Sequence, residues 1–284
     1  MSILLATLCL NEMEHLPKLY AQHKDWPGLR DWVFVESADR VYARSNPDLV
    51  SHNGLSVDGT SKYLANLASQ DPRVTYIAHG FADHTDPAQC KVAARQRYLD
   101  VANQLQPQFV FVLDADEYYP RSTQIDINSC MQGCSLAHNS FLFKQRHIWY
   151  PESLHEQSMF CYEVVGGYWA VPHCRGWRWI SGMQYRNNHN TPETPNGVSL
   201  GSTMLRFDKL PNHIECIHLG FASSTKLRAA KHHYYVARGE GAKDGRQWYV
   251  DCRSAFETWE PGQPLPYGAK VIPYLGPVPE VFQG

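Results

Sequence analysis

An α/β fold, a largely parallel sheet with helices on both faces, is predicted by three observations. Short apolar runs alternate with segments of helical period over the first 120 residues. Two of those runs end on carboxylates, Glu36 and the group at 114–117. Past Pro120 the character changes to shorter strands separated by Gly, Pro and Asn. Sheets of this kind bind ligands beyond the carboxyl ends of their strands, near the point where strand order reverses. The carboxylates stand at that address.

Residues 3–10 read as a short buried strand. Asn11 is expected to cap a helix, with Glu12 and Glu14 in a first turn whose dipole favours them. Met13, Leu16, Leu19 and Tyr20 recur at helical spacing, and Pro17 falls early enough to be tolerated. Residues 32–37 form a second strand. Residues 38–57 have no convincing period and hold Asn46-Pro47 and Asn53-Gly54, so they read as a long loop or insertion. Asp58-Gly59-Thr60 leads into a helix around 62–68, and 73–79 is a third strand. Asp86-Pro87 is a cap followed by proline at the first helical position. The helix beyond it puts Ala94, Tyr98, Val101 and Leu105 on one face and Lys91 with Arg95 on a neighbouring one. Residues 109–113 are the fourth strand. Further strands are expected within 140–150, 166–171, 177–188, 202–207 and 213–221. A last helix starts near Ser223 and stops at Gly239, carrying Lys226 and Lys231. From residue 240 a Gly- and Pro-rich extension wraps the surface; its end, EVFQG, resembles a truncated protease-tag scar and carries no expected role.

At 284 residues the chain can bury a substantial core. Its net charge of -2 gives no electrostatic case for nucleic acid or an anionic membrane surface. The 8 cysteines lack zinc-site spacing and read as reduced thiols, which suits a cytoplasmic location. The opening MSILLATLCLNE lacks the basic region and cleavage site of a signal peptide, and no stretch is apolar enough for a transmembrane segment. Trp149, Tyr168, Trp169, Trp177 and Trp179 are either core packing or a surface for the C–H faces of sugars.

The run FVFVLDADEYYP, 109–120, ends a buried strand on three carboxylates within four residues. Like charges at that density repel one another and resist desolvation, so a positive partner is expected. Asp114 and Asp116, one residue apart, can turn towards one cation, and their hard oxygens select Mg2+ or Mn2+. The alternative is a solvated loop with Asp114 capping a turn.

Residues 3–120 resemble the nucleotide-sugar-binding half of a GT-A glycosyltransferase, most of all the inverting family 2. The residues that carry the resemblance are ATLCLNEMEHLP, VFVESAD, VDGTSKYL and FVFVLDADEYYP, with HIECIHLGF and KLRAAKHHYY further on. The resemblance implies a metal-dependent transfer, with inversion, from a nucleotide-sugar donor, UDP-linked, to a carbohydrate or other hydroxyl acceptor. It implies one catalytic domain over 1–239: a donor half at 1–120, an acceptor half at 121–222 and a basic helix at 223–239, with 240–284 packing on the core. Thr7, Asn11 and Glu12 would line the nucleotide pocket, and Glu36 would face the ribose or base. Lys91 and Arg95 would approach the base or diphosphate. Asp114 would sit near the ribose and Asp116 would bind the metal (Mn2+ or Mg2+), with His218 completing its shell. Lys226 and Lys231 would neutralise the leaving diphosphate. The chain departs from the family where the acidic motif of the catalytic base should be. YRNNHNTPET stands there instead, with His189 and Glu193 the nearest bases.

Three other readings compete. A nucleotidyltransferase would need a glycine-rich basic loop after the first strand, where TLCLNEMEH has no glycine. A metal-dependent phosphohydrolase would need more His/Asp pairs around two metals. A carbohydrate-binding module would not need the acidic cluster.

Overall fold

The computed structural model describes residues 1–149, 160–164, 173–206, 214–221, 230–231, 233–234, 237, 269–273 and 276–283. Eleven strands among them join one sheet. Strands β1 (Ile3–Cys9), β2 (Leu29–Ala38), β3 (Val74–Phe81) and β4 (Phe109–Val112) are parallel, in the spatial order β3-β2-β1-β4. The chain runs from β1 out to β3 and returns to β4 on the far side of β1, so strand order reverses between β1 and β4. Their registers pair Ala6 with Val112. Continued by two residues, that register sets Asp114 beside Leu8, near the carboxyl end of β1.

Alternation along β1 sends Ile3 and Leu5 to one face of the sheet and Leu4 and Ala6 to the other. Helices α1 (Leu16–His23), α3 (Thr60–Gln70) and α5 (Arg121–Gly133) cover the first face with Leu16, Leu19, Leu64, Leu67, Ile127 and Met131. Helix α4 (Pro87–Leu105) covers the second with Ala94, Tyr98, Leu99 and Ala102. As expected, Asp86 caps α4, accepting from the Ala88 amide at 2.9 Å.

Past β4 the sheet turns mixed. A two-residue strand, β5 (Glu117–Tyr118), pairs with β10 (Glu215–Phe221), which in turn runs parallel to β6 (Ser140–Trp149). Strand β8 (His173–Arg178) lies antiparallel to β4 and to β6. Strands β7 (Phe160–Val164), β9 (Met204–Arg206) and β11 (Ala269–Pro273) complete it. Trp177 is fully buried in the core and packs edge-on to Tyr185. Trp179 is only partly buried. Tyr168, Trp169 and the expected strand at 166–171 lie outside the described residues, as does the side chain of Trp149.

Two local expectations are corrected. Asn11 caps no helix: it sits at φ 56, and α1 begins at Leu16 with Pro17 in its first turn. Asn11 instead clamps the following insertion, donating to the Leu49 carbonyl at 2.6 Å and accepting from Val57 N–H at 3.0 Å. That insertion is not all loop. Asp39 accepts from the amides of Val41 and Tyr42 and starts the short helix α2 (Arg40–Ser45). Residues 280–283 pack on the core: the Phe282 ring meets Tyr118 edge-on at 4.9 Å, and Glu280 accepts from Gln22 at 2.5 Å.

Among the described residues Cys9, Cys90, Cys130, Cys134, Cys174 and Cys216 are free thiols. No helix among them is long and apolar enough to cross a membrane.

Candidate active site

The acidic turn after β4 closes on itself. Glu117 N–H donates to the Asp114 carbonyl at 3.0 Å, and Asp114 N–H donates to Glu117 Oε2 at 3.1 Å. Leu219 N–H, from β10, donates to the Asp116 carbonyl at 2.8 Å. The turn is thus sewn to the strand that carries His218, which pairs with Glu117 in register.

Protein cations answer each carboxylate. Asp114 Oδ2 takes Arg175 Nη2 at 2.7 Å and its Oδ1 faces Arg95 Nη2 at 3.4 Å. Burial opposes its charge, but Arg175 and Arg95 outweigh burial and hold the carboxyl below its usual range. Asp116 Oδ2 takes Lys231 Nζ at 3.0 Å and faces His218 Nε2 at 3.5 Å. Burial again opposes ionisation, and the Lys231 ammonium reverses it, holding the carboxyl below its usual range. Glu117 is wholly buried and accepts from Arg175 and Gln145. Burial raises its carboxyl to about 8, with Arg175 pulling the other way.

Arg175 was not among the sequence candidates. It alternates with Trp177 along β8, and Gly176 between them packs its bare Cα face against Phe111 and Phe141, which brings β8 close to β4. Its strand, HCRGWR, also carries His173 and Arg178, so nothing in the sequence singled it out.

Beside the turn, at the ends of β1 and β2, a cleft of about 190 Å3 opens to solvent. Glu12, Lys91 and Lys231 line it, with Asp39, Tyr42 and Tyr234. Tyr42 and Tyr234 meet edge-on at 5.5 Å, and the Lys91 ammonium lies 5.8 Å from the centre of the Tyr234 ring. Burial, reinforced by Asp116, raises the Glu12 carboxyl well above its usual range. The wall thus sets Lys91 and Lys231, the latter paired with Asp116, beside Asp39 and the Glu12 carboxyl.

The other candidates are placed elsewhere. Thr7 is fully buried and accepts from the Trp32 indole at 3.0 Å. Glu36 is fully buried, accepting from Ser56 N–H at 2.6 Å, from the Ser61 hydroxyl at 2.8 Å and from Tyr76. Thr7, Asn11 and Glu36 thus shape the walls from behind. The His189 carbonyl accepts from Arg95 Nη1 at 2.7 Å, which ties that loop to the acidic turn. Glu193 joins a short antiparallel bridge with Gln184, and its carboxylate accepts from Asn187 at 3.4 Å. Lys226 lies outside the described residues.

The donor set at Asp116 fits a divalent ion. Burial lowers the His218 imidazole to about 4, so it is neutral at pH 7. A carboxylate beside an unprotonated ring nitrogen suits Mn2+. Among the described residues no three His, Cys, Asp or Glu side chains converge on one point. Two protein ligands with water and phosphate oxygens are the usual arrangement for such ions.

No protein-family profile matches the chain, and no curated protein matches it in sequence. Solved structures give weak likenesses. Residues 1–349 of TarS from S. aureus align at TM-score 0.40 and 12% identity, over 91% of this chain and 71% of that one. The same TarS portion in complex with UDP-GlcNAc aligns at TM-score 0.35 and 11% identity, over 91% of this chain and 72% of that one. The mannosyltransferase PcManGT from Pyrobaculum calidifontis, in complex with GDP-Man and Mn2+, aligns at TM-score 0.39 and 12% identity, over 90% of this chain and 69% of that one.

Proposed function

We propose that the chain is a GT-A-type glycosyltransferase that moves a sugar from a nucleoside-diphosphate donor, UDP-linked, to a hydroxyl acceptor with inversion. One observation carries this reading: a counter-charged Asp-x-Asp turn, with Asp116 buried, stands at the strand-order reversal, beside a cleft walled by Lys91, Lys231 and two tyrosines.

Tyr42 and Tyr234 offer an aromatic wall for the base, and Lys91 stands where it can meet the ribose or diphosphate. Asp116 and His218 would hold Mn2+ or Mg2+. When bound, such an ion neutralises charge growing on the leaving diphosphate. Lys231 adds a second positive charge at the same place. Arg175 and Arg95 hold Asp114 in its orientation beside the donor. His189, on the loop tied to Arg95, and Glu193 are the candidates to take the acceptor proton.

Thermal shift with UDP, GDP and their sugars, with and without Mn2+, tests the reading. Stabilisation by a nucleoside diphosphate, strengthened by Mn2+ and lost in Asp116→Ala, is the expected result. Indifference of the wild-type protein to every nucleotide would refute it.

A further inference from the structure

Lys231 Nζ sits 3.0 Å from Asp116 Oδ2, the same oxygen that faces His218 Nε2 at 3.5 Å. The ammonium therefore occupies ground that a divalent ion at Asp116 would need. Lysine and ion cannot both neutralise that oxygen at close range, because two cations so near one another repel strongly in a partly buried site. The Asp116 side chain is 7% exposed and that of Lys231 34%, so the carboxylate is fixed while the lysine has room to leave. The same lysine also lines the cleft, on the wall shared with Glu12, Lys91 and Tyr234. Its helical turn is anchored without Lys231, through Asn46 Nδ2 donating to the Ala230 carbonyl at 3.3 Å and the Tyr42–Tyr234 contact. The side chain can swing while the backbone stays in place.

We propose that Lys231 is a resident counter-ion that competes with the divalent ion for Asp116, and that arrival of the ion displaces its ammonium into the cleft, onto the donor's diphosphate. This rests on the glycosyltransferase reading above and goes beyond it in one respect. Without nucleotide, the ion site is held shut by the lysine. A metal–nucleotide complex opens it, because phosphate oxygens offer the displaced ammonium a new partner. Ion and donor should then bind with positive coupling, each strengthening the other.

Mn2+ binding, read by electron paramagnetic resonance in the absence of nucleotide, tests this on the full chain. Lys231→Gln should bind Mn2+ about tenfold more tightly than wild type, since a neighbouring positive charge and an ion pair are both removed. Lys231→Arg, which keeps the charge, should stay near wild type. Adding Asp116→Asn to Lys231→Gln should abolish the gain. The coupling between Mn2+ and UDP should shrink in Lys231→Gln. Mn2+ affinity in Lys231→Gln that is unchanged or weaker, or a gain that survives Asp116→Asn, overturns the competition. Nucleotide binding by the wild-type protein is measured in the same series and reports separately on the underlying reading. If nucleotide binds but Lys231→Gln leaves Mn2+ affinity unmoved, the competition alone fails.

Discussion

Arg175 Nη2 lies 2.7 Å from Asp114 Oδ2 and also donates to Glu117, so one guanidinium from β8 neutralises the Asp114 carboxylate and satisfies the buried Glu117 carboxyl of the same turn. Its side chain is 6% exposed and that of Glu117 is 0% exposed. Removing one member of a buried ion pair strands its partner and costs about 3–5 kcal/mol. Arg175→Met should lower unfolding stability in urea by that order, and Arg175→Met with Glu117→Gln should recover part of the loss. A loss below about 1 kcal/mol for the single variant would show that the pair is solvated.

His23 sets an acid limit on the fold. Its Nδ1 donates to the Leu19 carbonyl at 2.9 Å and its Nε2 accepts from Tyr119 N–H at 3.1 Å, so both nitrogens are satisfied only in the neutral ring. Burial lowers its pKa from 6.5 to about 4. Between those values the unfolded chain binds a proton that the folded chain refuses, so stability is full above pH 6.5 and falls as pH drops towards 4. The expected loss is roughly 3 kcal/mol. Urea midpoints of wild type and His23→Gln should converge as pH falls from 7 to 4; parallel curves would contradict the assignment.

Gly80 holds φ +65, and a Cβ there would collide with the Asn53 carbonyl. Backbone strain and collision together cost on the order of 1–3 kcal/mol. Gly80→Ala should lower the melting temperature and increase proteolysis at residues 49–57. Unchanged melting would mean that this insertion moves aside freely.

Lys91→Gln should weaken binding of UDP about tenfold in calorimetry, the loss expected for one charge-assisted contact. Melting should shift little, because Lys91 lines the open cleft. Equal UDP affinity in both proteins would move the diphosphate elsewhere.

The parallel half of the fold was legible because its signals are local. Strand periods, the Asp86-Pro87 cap and the apolar face of α4 all lie within a few residues of one another. The demand for positive charge near Asp114 and Asp116 was legible as well, and the resemblance put Arg95 and Lys231 near it, but nothing pointed to Arg175. Arg175 is 61 residues from Asp114, and Lys231 is 115 from Asp116. No spacing rule pairs residues so far apart. Asn11 was misread for a related reason: its amide serves the Leu49–Val57 insertion, whereas the nearest helix start is set by Pro17. Helix α5 carries Thr123, Ile127 and Met131 four residues apart, a helical signal that the acidic turn just before it overshadowed.

That β4 takes its second neighbour from residues 173–178 has a practical consequence for recombination with related sequences. A chimera joined after Pro120 would separate Asp114 and Glu117 from the guanidinium that bonds them both. Viable crossovers should carry residue 175 along with the first 120, and a library built on that rule should yield more soluble hybrids than one cut at the visible change in sequence character.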